Sequence, residues 1–345
     1  MNNASSSLFV SPSDLSLTEP SLHLSRLPQA LALAGADVDM KKQALMQMQE
    51  ILARQVDVIK MLKTDVMLQL AHTLKAADPE LRLLSIQLMG LLAKSPVGKT
   101  QIIEFSYIAD VVRLVTDEWM EVRFHAYECV KSFSDTRDGL LKLVNAAFIG
   151  TFIEQSRVEE DTILRVSALL LLDKLMHVPA GLSAAVEQNA IVVCVGNLAH
   201  AFEHVRAAAC QCLVTINSRE SSRAPTLAAG AAPVLIELLV ERDLYTRAFA
   251  AGALMYLAME LEGKEQCLKD DVCMQRLVVQ LDENFDMLLV NTLQCIAALA
   301  EHPRARPYFG AEAIAKHIEY YALIDVKPLI KLTAARALKA IQWTP

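Results

Sequence analysis

The sequence predicts an all-α solenoid, on three observations: a helical pattern that returns eight times, a second pattern locked to it, and a composition suited to helices. The first pattern recurs about every 41 residues. Its lead positions are Lys41, Arg82, Arg123, Arg165, Arg206, Arg247, Leu289 and Lys331, spaced 41, 41, 42, 41, 41, 42 and 42 residues apart. Three residues on, the chain is small each time: Ala44, Ser85, Ala126, Ala168, Ala209, Ala250, Thr292 and Ala334. Seven residues on, it is apolar: Met48, Met89, Val130, Leu172, Leu213, Leu254, Ile296 and Leu338. Ten residues on, it is apolar again: Ile51, Leu92, Phe133, Leu175, Ile216, Leu257, Leu299 and Ile341. At 53% hydrophobic content, sixteen apolar residues in sixteen such positions arise by chance roughly 4 times in 100,000. The three- and four-residue spacing puts them on one buried helical stripe.

The second pattern lies upstream. Eight residues before each lead stand Leu33, Leu74, Val115, Arg157, Leu198, Leu239, Leu281 and Leu323, all apolar except Arg157. This predicts another helix with a fixed buried face, and a turn in the fourth repeat that differs by one residue. Composition agrees: Leu and Ala, both strong helix formers, are the commonest residues, with only 11 Gly and 12 Pro in 345 residues. Aromatic content is 6%, as expected where Leu and Ala fill thin layers between helices.

Taken in chain order, residues 1–24 form a Ser-rich N-terminal segment with seven Ser, two Pro and no Lys or Arg. It reads as a tail without stable structure of its own; Leu8-Phe9-Val10 is a docking segment in the other reading. The solenoid is expected over residues 25–345. The turn before each lead helix is polar and often acidic. In Ala77-Asp78-Pro79-Glu80, Pro79 suits the first helical turn and Asp78 its N-cap. Sixteen residues after the lead stand Gly98, Gly139, Gly181 and Gly263, read as helix stops at the junction between repeats. A short first helix follows, such as Gly263 to Leu268. Three helices per repeat, the first short, favour the armadillo unit over the two-helix HEAT unit. The expected fold is thus an all-α, right-handed armadillo-type α-α superhelix of about eight three-helix repeats. Helices packed 8–10 Å apart would make a curved rod roughly 70–80 Å long. Each basic lead residue is expected to reach a carbonyl or an acid in the next repeat.

The same residues exclude function classes. Net charge is −7 with no long basic run, which argues against sequence-independent nucleic-acid binding. No segment reaches the length of a membrane span, and no secretory signal is visible, so a soluble, intracellular protein is expected. Cysteines at 129, 194, 210, 212, 267, 273 and 295 form no CxxC pair and read as buried thiols of a reducing compartment. Ala93 to Thr100 loosely matches a phosphate-binding loop, but it has Ala where the first Gly belongs, and Gly98 is the ordinary junction glycine. His200-Ala-Phe-Glu203-His204 matches a zinc-peptidase string, yet it falls in the turn before a lead helix, not on one continuous helix. No catalytic residue, cofactor or metal ligand is expected, and no small-molecule substrate.

Binding is expected on the surface lined by one helix of each repeat. Peptide-binding armadillo proteins carry a Trp-x-x-x-Asn pair there, and no repeat of this chain has it at the equivalent positions. Those positions are mixed, and their candidate partner contacts are Gln87, Glu128, Lys174, Gln211, Tyr256 and Gln294. Two readings stay open: a partner surface and a solvated face. Lys331, Arg336 and Lys339, with Lys327, make the last repeat basic and leave −11 on the rest of the chain. That end is either a dock for an acidic surface or a polar cap. The repeat core is expected at Ala126, Ala168, Ala209, Ala250, Leu172, Leu213, Leu254 and Leu257.

The C-terminal half resembles a known family. Ala250-Ala251-Gly252-Ala253-Leu254-Met255, Glu262-Gly263-Lys264, Leu299-Ala300-Glu301-His302-Pro303 and Ile341-Gln342-Trp343-Thr344-Pro345 resemble the armadillo-repeat radial spoke proteins of motile cilia. The resemblance covers about residues 26–345, with repeats 100–220 more divergent. It implies a non-catalytic structural subunit in the stalk of the axonemal radial spoke, bound to other spoke subunits and supporting ciliary motility, and cytoplasmic before assembly. The alternative is a cytosolic armadillo adaptor that binds a peptide or a chaperone partner.

Overall fold

A computed structural model describes residues 27–32, 37–52, 58–145, 147–323 and 327–344. The N-terminal segment 1–24, Leu33 and Pro345 lie outside the described residues. The described residues are helical, with no strand among them. The chain divides into two compact units, 1–146 and 147–345.

The first unit holds α1 (27–32), α2 (Val38–Leu52), α3 (Val58–Leu62), α4 (Val66–Thr73), α5 (Pro79–Leu92), α6 (Pro96–Glu104), α7 (Ile108–Arg113), α8 (Met120–Ser134) and α9 (Arg137–Asn145). The second holds α10 (Ile149–Val158), α11 (Thr162–Met176), α12 (Pro179–Glu187), α13 (Ala190–Asn197), α14 (Glu203–Asn217), α15 (Arg223–Ala228), α16 (Ala231–Leu238) and α17 (Leu244–Leu257). It continues with α18 (Leu261–Cys267), α19 (Val272–Val279), α20 (Asp286–Ala300), α21 (Ala305–Phe309), α22 (Glu312–Leu323) and α23 (Pro328–Ile341). Each full repeat is a short first helix, a second helix and a long third helix. The fourth residue of every third helix is the lead residue read from the sequence.

Third helices pack side by side. In the first unit α5 lies between α2 and α8; in the second, α11, α14, α17, α20 and α23 follow one another. A helix with a like helix on each side and its own second helix behind it is buried on three sides. That geometry explains the composition at lead plus three, where every residue from Ala44 to Ala334 is buried. Larger side chains there would hold the axes apart. The expected core residues Ala126, Ala168, Ala209, Ala250, Leu172, Leu213, Leu254 and Leu257 are all fully buried. All seven cysteines are buried free thiols, and burial alone pushes Cys129 up to about 12.

Local chemistry fixes the helix starts. Asp78 caps α5 by accepting the Leu81 N–H at 2.9 Å, with Pro79 at the first position. Asp161 and Asp243 cap α11 and α17 in the same way. The lead arginines lock the turn beneath. Arg82 Nη1 donates to the Ala76 and Ala77 carbonyls at 3.0 and 2.9 Å, while its Nε and Nη2 hold Asp117 of the next repeat at 2.6 and 3.0 Å. Arg206 donates to the His200 and Ala201 carbonyls and pairs with Glu241 at 2.8 Å. Arg247 pairs with Glu283 at 2.8 Å. A guanidinium serves several acceptors at once, which a lysine ammonium does less well.

Three expectations need correction and a fourth is met. The junction glycines do not stop helices: Gly98, Gly139, Gly181 and Gly263 are each the third residue of a first helix. A Cβ on Gly98 would lie 2.6 Å from the Leu92 carbonyl carbon, and one on Gly263 2.6 Å from that of Leu257. Glycine is there because the new helix starts against the end of the old one. The turn of the fourth repeat does differ by one residue, as expected: α10 runs on past the point where α13 has ended at Asn197, so Arg157 stays outside. It pairs with Glu154, and Ser156 takes the buried position. Second, Leu323 is 71% exposed, with no further repeat among the described residues packed against it. Third, the link to the next repeat is not always made by the lead residue. In repeat one Lys42 makes it, to Asp78 and Glu80 at 3.1 and 2.6 Å. Arg165 bonds its own turn, at the Glu159 carbonyl, because the next turn offers His200 in place of an acid.

The glycines give a test by sign. Gly98→Ala and Gly263→Ala lower stability by about 1–3 kcal/mol, since backbone must move to admit the methyl. Gly90→Ala, in the last turn of α5 where an added Cβ meets nothing within 4 Å, raises it by about 0.5–1 kcal/mol. Urea unfolding of the three variants checks this; one common sign would contradict the close-approach argument.

Candidate binding surface

In the first unit, the third helices α5 and α8 border a groove of about 660 Å³. Ile86, Gly90, Leu91 and Phe124 give it apolar walls, and Lys94, Lys131, Glu128 and Asp135 line it with charge. A polar ladder crosses it. Gln49 Nε2 donates to Gln87 Oε1 at 3.0 Å, and Gln87 Nε2 donates to His125 Nε2 at 3.0 Å. Burial lowers the His125 pKa, which favours the neutral ring this acceptor role requires. The structure brings Gln87 and Glu128 into this one groove; Glu128 is exposed, 3.8 Å from Lys131.

In the second unit the polar residues of the third helices converge on a residue that the sequence reading passed over. Asp173 is buried on α11 and accepts from Gln211 Nε2 at 2.7 Å and Thr215 Oγ1 at 2.6 Å, both on α14. His177 stands 3.5 Å away. Burial raises the Asp173 pKa, and the Thr215, Gln211 and His177 contacts offset only part of that. Asp117 makes the contrast. It too is desolvated, but Arg82, the Trp119 N–H and Arg113 together hold its carboxyl below the usual range. A formal charge nearby decides the direction. The signal that could have found Asp173 is an acid inside the apolar run Leu169 to Leu175.

The other candidates are dispersed. Lys174 and Gln294 are half-buried on α11 and α20. Tyr256 is half-buried with the Arg223 guanidinium over its ring at 5.9 Å. Lys331, Arg336 and Lys339 are exposed along α23. The zinc-like string has a structural role at one end: His200 Nδ1 accepts the Phe202 N–H ahead of α14. No group of three or more metal-ligating side chains occurs among the described residues. No helix among them is long and apolar enough to cross a membrane.

The ionisation of Asp173 has a readable consequence. An acid whose folded pKa is raised penalises the folded state once ionised. The penalty is absent below the ordinary carboxylate range and grows as pH rises through it. The stability of the wild type relative to Asp173→Asn therefore increases as pH is lowered from 7 to 3. Urea midpoints of both proteins across that range check it; a flat or opposite difference would mean that the carboxylate is well solvated.

No protein-family model matches this chain, and no curated protein matches it. Solved structures do. An engineered protein from the Northeast Structural Genomics Consortium is similar with a TM-score of 0.79 and 19% identity, over 93% of this chain and 79% of that one. A second engineered protein from the same consortium has 18% identity and a TM-score of 0.45, over 79% of this chain and 97% of that one. A designed armadillo repeat protein has 16% identity and a TM-score of 0.45, over 79% and 99%. At such identity the first likeness speaks to fold alone. Both units of this chain are built on the armadillo-type three-helix repeat, an all-α solenoid fold that typically serves to bind other proteins.

Proposed function

We propose that this chain is a non-catalytic scaffold that binds other proteins through its solenoid surface, as a structural subunit of the axonemal radial spoke. The observation that carries the scaffold reading is the state of the polar residues on the third helices. Gln49, Gln87 and His125 satisfy one another, as do Asp173, Gln211 and Thr215. Side chains fixed in this way form a preorganised surface, which favours recognition of a partner by shape. The spoke reading is supported by the C-terminal resemblance, from Ala250-Ala251-Gly252 to Ile341-Gln342-Trp343. Its partners would be other spoke subunits.

The second reading is a soluble cytosolic adaptor, which the peptide-sized groove of the first unit favours. A tagged copy in a ciliated cell separates them. The spoke reading predicts signal along the axoneme that survives detergent and salt extraction. A diffuse signal released entirely by detergent would overturn it in favour of the adaptor.

A further inference from the structure

We infer that the second unit carries a docking ridge for a basic amphipathic helix, on the edge formed by the first turns of its third helices. The inference rests on the protein-binding reading above, but not on the axonemal one.

The ridge is made of apolar side chains where a helix start should be polar. Ile163 is 64% exposed, Phe202 56% and Tyr245 56%. Ile163 and Tyr245 are the second residues of α11 and α17, and Phe202 and Phe285 are the N-cap residues of α14 and α20. Neither phenylalanine makes a side-chain cap bond. N-cap positions favour Ser, Thr, Asp or Asn, and this chain uses Asp at α11 and α17. Phenylalanine in that place gives up a cap bond and adds exposed apolar area, so folding does not account for it.

The four side chains are ordered by the repeat. Tyr245 and Phe285 meet edge to face, ring centroids 5.2 Å apart, linking the second residue of one third helix to the N-cap of the next. Ile163 and Phe202 stand in the same relation one pair earlier. The two apolar pairs are thus two repeats apart. With third helices 8–10 Å apart, that is roughly 16–20 Å. An α-helix covers it in about 11–13 residues at 1.5 Å each, so apolar residues repeating by sevens can reach both pairs.

Charge selects the partner's flanks. The turns between and beside the pairs carry Glu160, Glu203, Asp243 and Asp282, against Arg242, while Asp286 is already paired with Lys327. Glu160, Glu203 and Asp282 are exposed. The lead arginines beneath are already engaged with turn carbonyls and with Glu241 and Glu283. His200 is held below its ordinary pKa by burial, Arg165 and Arg206, and so adds little positive charge at neutral pH. The ridge is apolar with an acidic border, which complements a helix whose apolar stripe is flanked by Lys or Arg.

The test uses the full chain and a fluorescent 21-residue helical peptide with leucines in a heptad stripe and lysines elsewhere, read by anisotropy at physiological salt. The expected result is saturable binding that weakens at least tenfold in the double variant Phe202→Ser, Tyr245→Ser. Both side chains are exposed, and an unchanged melting curve verifies that the variant is folded. Leu170→Ser, an exposed apolar change on α11 outside the ridge, leaves binding unchanged. A peptide with glutamates for the lysines binds at least tenfold more weakly. Absent binding, equal binding by the double variant, equal loss in Leu170→Ser, or equal affinity for the glutamate peptide would each overturn the ridge. None of these outcomes bears on localisation, so the axonemal reading fails or stands separately.

Discussion

Every repeat of this protein depends on a burial that the repeat cannot achieve alone. A third helix such as α17 buries Ala248, Ala250, Ala251, Ala253, Leu254 and Leu257. Its own second helix covers one side of that surface, and the third helices of the two neighbouring repeats cover the rest. The small residue three positions after the lead lets those neighbours close in. From it follow the thin apolar layers, the low aromatic content and the 41-residue period. The same rule explains the last repeat. No described residues pack against the far side of α23, and Ala335, Arg336 and Lys339 are exposed on a helix face that is covered in the preceding repeats.

Polar groups are arranged within that frame according to whether a formal charge is at hand. The turns carry carbonyls that no helix satisfies, and the lead arginines satisfy them while reaching an acid in the next turn. Asp117 gains a guanidinium and is held ionised; Asp173 gains only neutral donors and a histidine, and is pushed toward its protonated form. A pair such as Arg82 and Asp117, mostly shielded from solvent, contributes to fixing one repeat on the next more than an exposed pair would. Gln49, Gln87 and His125 in the first unit, and Asp173, Gln211 and Thr215 in the second, satisfy one another, and so those parts of the third-helix surface are stiff.

The repeat was legible in the sequence because its constraint is periodic. Burial on one stripe marks the chain every 41 residues, and Ala126, Leu172 and Leu254 stand where the spacing put them. Features that depend on contact between elements were not legible. Gly98 and Gly263 look like helix stops in sequence, since both sit near a helix end. That the end belongs to the preceding helix, with the glycine inside the next one, is visible only when the carbonyls of Leu92 and Leu257 are placed. The candidate surface was legible in part. Positions five and nine after the lead found Gln87 and Gln211, which do join polar ladders. They missed Asp173, which lies one position off that grid, and they missed Phe202 and Tyr245, because these lie at the helix starts, where Asp78, Trp119, Asp161, Phe202, Asp243 and Phe285 alternate between acid and aromatic from one repeat to the next, outside the five- and nine-residue positions.

The measurement that tests the account most directly compares two aspartates in equilibrium urea unfolding of the second unit's helices, followed by circular dichroism. Ala250→Asp places a carboxylate between α17 and its neighbours, where the account predicts a loss of at least about 4 kcal/mol. Ala335→Asp makes the same change on the exposed face of α23, where the account predicts a change within about 0.5 kcal/mol. Equal, small effects would mean that third helices are not closed in by their neighbours, and the register on which the fold and its surfaces rest would be wrong.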